Sequence, residues 1–117
     1  MDTRKVKIHE EESIKNVGPS KITVAYQRIG EPDLPPVFLI MGAGAQKINW
    51  PDGFCLELAS HGFHLIRFDN RDAGNTTHYS DAPIPDFPAI QSGDFSTVTY
   101  TLSDMAADTV GLMDALG

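Results

Sequence analysis

Two short stretches of this sequence combine residue types and spacing that can do chemistry. The first is "FLIMGAGAQKINWP", residues 38–51, where an apolar run ends in Gly42-Ala43-Gly44. A glycine-rich loop of this kind either cradles a phosphate or aims backbone N–H groups at an oxygen that becomes negative during reaction. The second is "DNRDAGNTT", residues 69–77, which crowds Asp69, Arg71 and Asp72 together with amides, a glycine and two hydroxyls. Nucleophilic acyl transfer would also need a hydroxyl activated by a base that a carboxylate orients. The serines are Ser13, Ser20, Ser60, Ser80, Ser92, Ser96 and Ser103, and none stands in a Gly-x-Ser-x-Gly elbow.

The phosphate reading fails on spacing. Gly42-x-Gly44, with Asp69 closing a later strand, has the outline of a dinucleotide site, but Lys47 holds the third glycine position. No Gly-Lys-Ser/Thr follows, so a Walker loop is excluded as well. Phosphate cradling also needs a helix N-terminus directly behind the glycines, whereas Pro51 puts that start several residues later. The oxyanion reading asks only for small residues that leave room for a substrate carbonyl. A plain turn, in which glycine merely permits positive φ, fits the loop by itself equally well.

Composition narrows the function classes further. The 117 residues carry 9 basic and 16 acidic side chains, a formal charge of −7, which argues against electrostatic nucleic-acid binding and a polybasic membrane anchor. The single cysteine, Cys55, excludes an internal disulfide and a multi-cysteine zinc site, and reads as a small buried hydrophobe. The N-terminal "MDTRKVKIHEEES" has no apolar h-region, and no apolar run reaches transmembrane length, so the chain reads as cytoplasmic.

The elements that must position these loops follow from hydrophobic period. Residues 5–14 alternate weakly through Val6 and Ile8, Gly18-Pro19-Ser20 marks a turn, and residues 21–29 alternate again. This predicts an antiparallel strand pair with one wet face. Residues 37–41 are apolar throughout, the mark of a strand covered on both faces. Pro51 suits the first helical position, Phe54, Cys55, Leu58 and Ala59 form a helical stripe, and Gly62 is its stop. Residues 63–69, "FHLIRFD", give a second buried strand, and strand, helix, strand is a βαβ unit with parallel strands. Residues 70–98 show no period and read as a cover or mobile segment. Leu102, Met105, Ala106, Thr109, Leu112, Met113 and Leu116 predict a final amphipathic helix. Thr101 and Asp104 make its capping box, and Asp104 and Asp108 favour its positive N-terminal end.

Three of these segments together carry a family resemblance: "IMGAGAQKINWPDGF", "GFHLIRFDNRDAGNTT" and "YTLSDMAADTVGLMDALG". In order and spacing, from about residue 21 onward, the chain resembles the α/β-hydrolase superfamily, in particular its esterase and methylesterase-like bacterial members. The segments stand like that family's oxyanion loop, its Asp-x-Arg-x-x-Gly-x-Ser/Thr turn and the helix before its nucleophile. The resemblance implies that the Ala43 N–H is an oxyanion-hole donor, with Gly42 and Gly44 shaping the loop. Met41 stands where many members have histidine. Asp69, Asn70, Arg71 and Gly74 are implied to be structural, bridging the turn to neighbouring backbone, with Thr76 as the turn hydroxyl. Trp50 either lines the acyl pocket or packs against the first helix.

By the same resemblance, residues 1–117 are the N-terminal segment of a single α/β-hydrolase domain, ending before the nucleophile elbow. The family's histidine comes late in the chain, so His9, His61, His64 and His78 are expected at packing or surface positions. The implied function is a serine-type hydrolase part acting on a carboxylic ester or similar acyl substrate, with no cofactor, metal, nucleic acid or membrane. Alone, without nucleophile, acid or histidine, these residues are expected to be inactive. The alternative is a non-catalytic interaction module. In either case the strand at residues 37–41 is left as an open sheet edge, able to self-associate or to pair with a C-terminal half.

Overall fold

The computed structural model of the chain describes residues 5–42 and 45–117. Strands β1 (Glu12–Val17) and β2 (Ile22–Ile29) pair antiparallel, as their alternation predicts. The first strand lies further along the chain than expected, because the residues that turn toward the core are Ile14 and Val17. Val6 and Ile8 cover the opposite face, and the earlier stretch contributes only an isolated bridge from Ile8 to Ile29.

Strand β3 (Pro36–Leu39) and strand β4 (His64–Phe68) pair in parallel around helix α1 (Asp52–Ser60), which gives the βαβ unit. Pro51 precedes the helix as its cap with ψ 140°, one residue earlier than the first helical position. The sheet order is β1-β2-β4-β3, so β3 is an outer strand and β4 is central. All five residues of β4 are buried, as a strand covered on both faces requires.

The two cores lie on opposite faces of this sheet. Val17, Ile22, Val24, Tyr26, Ile66 and Phe68 pack with Leu112 of helix α3 (Leu102–Leu116). Ile29, Leu39 and Leu65 pack with Cys55 and Ala59 of α1. Strand β2 is therefore covered on both sides, and the expected wet face is not found: Ala25 is buried like Val24 and Tyr26. The Thr101–Asp104 capping box of α3 is formed in both directions. Its buried face is rotated from the expected stripe, however. Asp108, Thr109 and Leu112 are buried, while Leu102 is 79% exposed. One reason is close approach: a Cβ on Gly111 would lie 2.5 Å from the backbone of Gly18 in the β1–β2 turn. A short helix, α2 (Phe87–Gln91), interrupts the long segment between β4 and α3.

Candidate active site

Because β3 and β4 are parallel, their C-terminal ends open on the same side of the sheet, where ligands bind in open α/β folds. The glycine loop leaves β3 there, and the 69–77 turn leaves β4 beside it. Ala43 and Gly44, the expected donor and one of its shaping glycines, lie outside the described residues. Gly42 is exposed, and its carbonyl accepts from Ala45 N at 3.1 Å.

Four consecutive side chains of the turn hold four different parts of the molecule. Asp69 is fully buried, and its Oδ1 accepts from Lys47 N at 2.6 Å. Its Oδ2 accepts from Lys47 Nζ at 2.9 Å and from Asn75 N at 3.0 Å. Asn70 Nδ2 donates to Met41 O at 2.7 Å. Arg71 makes a two-pronged pair with Asp108 of α3, both contacts at 2.7 Å, and donates to Ser20 Oγ at 3.1 Å. Its guanidinium also lies 4.7 Å from the ring centre of Tyr100 and 5.2 Å from that of Tyr79. Asp72, at φ 64°, accepts from Tyr79 N at 2.6 Å and from the Tyr100 hydroxyl.

The turn is packed against β2 with hydroxyls standing in for strand backbone. Thr76 Oγ1 accepts from Ala25 N at 2.9 Å and donates to Asp69 O at 2.8 Å, while Thr77 Oγ1 accepts from Thr23 N at 2.9 Å. Gly74 is required here. A Cβ at that position would stand 2.3 Å from Asp69 Oδ2, and its φ of 50° is itself unfavourable for other residues.

Charge in this network is matched group by group. Burial alone would push the Lys47 ammonium down, but hydrogen bonds to Glu11 and Asp69 outweigh it and hold the pKa above its ordinary value. Arg71 is raised first by its bonds to Asp108, against the effect of burial. Burial would raise the Asp72 carboxyl, yet the Tyr100 hydroxyl and Tyr79 N–H hold it below the usual value. Tyr100 is pushed up to about 12 by burial and by Asp72. Each buried charge therefore has a bonded partner, the arrangement without which burial would be costly.

Trp50 is half-buried, packs with the α1-side core and stacks on Phe54 at 5.7 Å between ring centres. Its carbonyl accepts from Arg67 Nη1 at 2.8 Å, and Arg67 also reaches Asp52 and Gln27. Lys47, Arg67 and Asp108 are the members that sequence reasoning missed. Asp108 had left a signal, since it falls three residues after Met105 and four before Leu112, on the apolar side of its helix. Lys47 left none beyond spoiling a glycine motif.

Among the described residues His78 is the histidine that touches this turn. His64 is buried in β4, where burial holds its imidazole below the usual value; His61 and His78 are exposed. His78 Nε2 lies 2.7 Å from Gly74 O. Cys55 is buried, and burial pushes its thiol up, as for a core residue rather than a nucleophile. Among the described residues no group of three or more His, Cys, Asp or Glu could hold a metal ion, and no helix is long and apolar enough to cross a membrane.

No family model matches the chain. It is 30% identical over 95 residues to the rhodomycin D methylesterase DauP of Streptomyces sp. (strain C5), covering 81% of this chain and 27% of that protein. Epoxide hydrolase A from Mycobacterium thermoresistibile superposes with a TM-score of 0.63 at 22% identity, over 92% of this chain and 28% of that one. The thioesterase domain from the curacin biosynthetic pathway gives 0.67 at 18% identity, over 92% of this chain and 33% of that one. The chain thus spans about a quarter to a third of the length of the proteins it matches.

Proposed function

Because the curated relatives and the structural neighbours alike point to the α/β-hydrolase superfamily, we propose that these residues supply the oxyanion-loop part of a serine-type hydrolase. The substrate class is a carboxylic ester or a similar acyl compound, and Ala43 N–H is the donor to the developing oxyanion. Residues 1–117 then form the first segment of one hydrolase domain, and the nucleophile, acid and histidine come from beyond them. The observation that carries this reading is positional. The glycine loop opens at the C-terminal end of a parallel strand, and the neighbouring turn holds both sides of it, at Met41 O and Lys47 N. The three matched proteins are named for ester, epoxide and thioester chemistry, so the fold does not select the substrate. The choice of an ester rests on the sequence relatives.

The test compares two polypeptides against an activated ester and a methyl ester. A longer gene product that contains these residues is expected to show saturable turnover. The 117 residues alone are expected to match a heat-denatured control, since they carry no elbow serine. Saturable turnover by the short chain would contradict the assignment.

A second reading, an interaction module, has one specific observation in its favour. Outer strand β3 borders a cavity of about 750 Å³ whose lining includes Phe38, Ile40, His64 and Met113. Ile40 is 55% exposed there, and buried His64 Nδ1 and Arg28 Nε have no hydrogen-bond partner among the described residues. On this reading β3 takes a further strand, from a second copy or from a C-terminal half. Sedimentation of the 117 residues is expected to show self-association that a supplied C-terminal half suppresses. A compact monomer at high concentration would contradict it.

A further inference from the structure

We infer that Asp69 and Asn70 are positioning residues for the glycine loop, holding it at Met41 on one side and at Lys47 on the other. This rests on the oxyanion reading above and gives that loop its mechanical support. The geometry is a clamp made by two neighbouring residues. Asn70 Nδ2 holds the carbonyl of Met41 at 2.7 Å, on the β3 side of the loop. Asp69 Oδ1 holds the amide of Lys47 at 2.6 Å, on the far side. Both side chains are deeply buried, with relative exposures of 6% and 0%.

Three further features show that the clamp is itself held. Asp69 Oδ2 is tied by Lys47 Nζ and Asn75 N, so the carboxylate cannot rotate away without leaving charge and donors unpaired. Gly74 gives way to that carboxylate, since any Cβ there would collide with it. Thr76 fixes the backbone of Asp69 from behind and is anchored in turn on β2. The clamp therefore connects the loop to the central sheet through bonds that are short and partly ionic, the kind that hold geometry best. A catalytic donor needs such support, because placement must be held to about 0.5 Å. Both carboxylate oxygens of Asp69 and the Nδ2 of Asn70 are engaged with protein partners, two of them in the loop itself.

The first experiment uses the 117-residue chain and no substrate. Amide hydrogen exchange is followed across residues 40–50, β2 and α3 in wild type, Asn70→Leu, Asp69→Asn and the core control Leu112→Val. Asn70→Leu is expected to speed exchange at residues 45–47 by roughly fivefold, the factor for one lost hydrogen bond, with little change in β2 and α3. Asp69→Asn is expected to do the same to a greater degree. If it unfolds, Asn70→Leu alone decides the matter. Exchange that is unchanged at 45–47, or that rises uniformly as in Leu112→Val, would overturn the assignment.

The second experiment uses a longer, active gene product. Asn70→Leu is expected to lower kcat by up to about 10²-fold, as a displaced catalytic group does, while KM stays within about twofold. Ala43→Pro is measured beside it. If Ala43→Pro leaves kcat intact, the oxyanion reading itself fails. If Ala43→Pro lowers kcat and Asn70→Leu does not, the positioning role fails alone.

Discussion

Residues 69–77 and residues 80–98 both run between β4 and α3, both are mostly irregular, and they could hardly differ more. In the first, Asp69, Asn70, Arg71, Ala73 and Thr76 are buried, and the buried charges have bonded partners. In the second, Ile84 is 89% exposed, Phe87 68% and Phe95 63%, and the helix α2 buries no residue. Apolar residues are thus outside and charged ones inside, the reverse of the usual distribution. The difference teaches that order in this part of the chain comes from satisfied polar groups. The hinge between the regimes is a staple: Tyr79 and Tyr100 stand 5.6 Å apart at the base of the excursion, over Arg71 and bonded to Asp72.

The sharpest way to break this comparison is to mutate one residue in each region. Asp69→Ala removes the acceptor of Lys47 N, Lys47 Nζ and Asn75 N and leaves a buried ammonium with Glu11 alone. The expected cost is about 3–5 kcal/mol in denaturant unfolding, as for other broken buried pairs. Ile84→Ser, although it replaces a large apolar side chain, is expected to stay within about 0.5 kcal/mol. Equal losses in the two variants would show that the excursion is packed as tightly as the turn.

A smaller effect is kinetic. Limited proteolysis is expected to cut first within residues 80–98, around exposed Ile84, Phe87 and Phe95, while β3 and β4 stay protected. First cuts between residues 70 and 77 would mean that the hydrogen-bonded turn opens as readily as the excursion.

How much of this was legible beforehand depends on what kind of interaction carries it. The βαβ unit, the strand pair and the α3 capping box follow from apolar period and local cap chemistry, which are written in adjacent residues. The rotation of α3 is not, because it depends on Gly111 meeting Gly18 and on Asp108 meeting Arg71, partners 93 and 37 positions apart in the chain. The family resemblance gave Asp69, Asn70, Arg71 and Gly74 a structural role only as an expectation. It could not say that Asp69 reaches back to the Lys47 side chain as well as to backbone, since Lys47 is the one lysine buried among the described residues. The placement of β1 was missed because Val6 and Ile8 alternate as a strand does, yet serve a different core.

The smallest expected effect is a titration of the staple. Tyr100 has its folded-state pKa raised from 10 to about 12, so its contribution to holding the excursion is fully present below pH 10 and is lost as pH rises toward 12. Asp72 is the mirror case: its pKa is held below 3.8, so its contribution is lost as pH falls through the acid range below that value. The phenolate absorbance lost in Tyr100→Phe, taken as the difference from wild type, is expected to titrate late, near pH 12. A difference curve titrating near pH 10 would show that the staple is open in solution.

The central claim is that the loop clamped by Asp69 and Asn70 presents a backbone donor to an acyl oxyanion, and its most direct measurement is kcat of Ala43→Pro in a longer, active gene product. Proline removes the N–H while the clamp partners Met41 and Lys47 remain. The account predicts a fall in kcat of about 10²–10³-fold, the usual cost of one oxyanion donor, with folded yield largely kept. An unchanged kcat in a folded Ala43→Pro enzyme would contradict the account and leave the glycines as a turn.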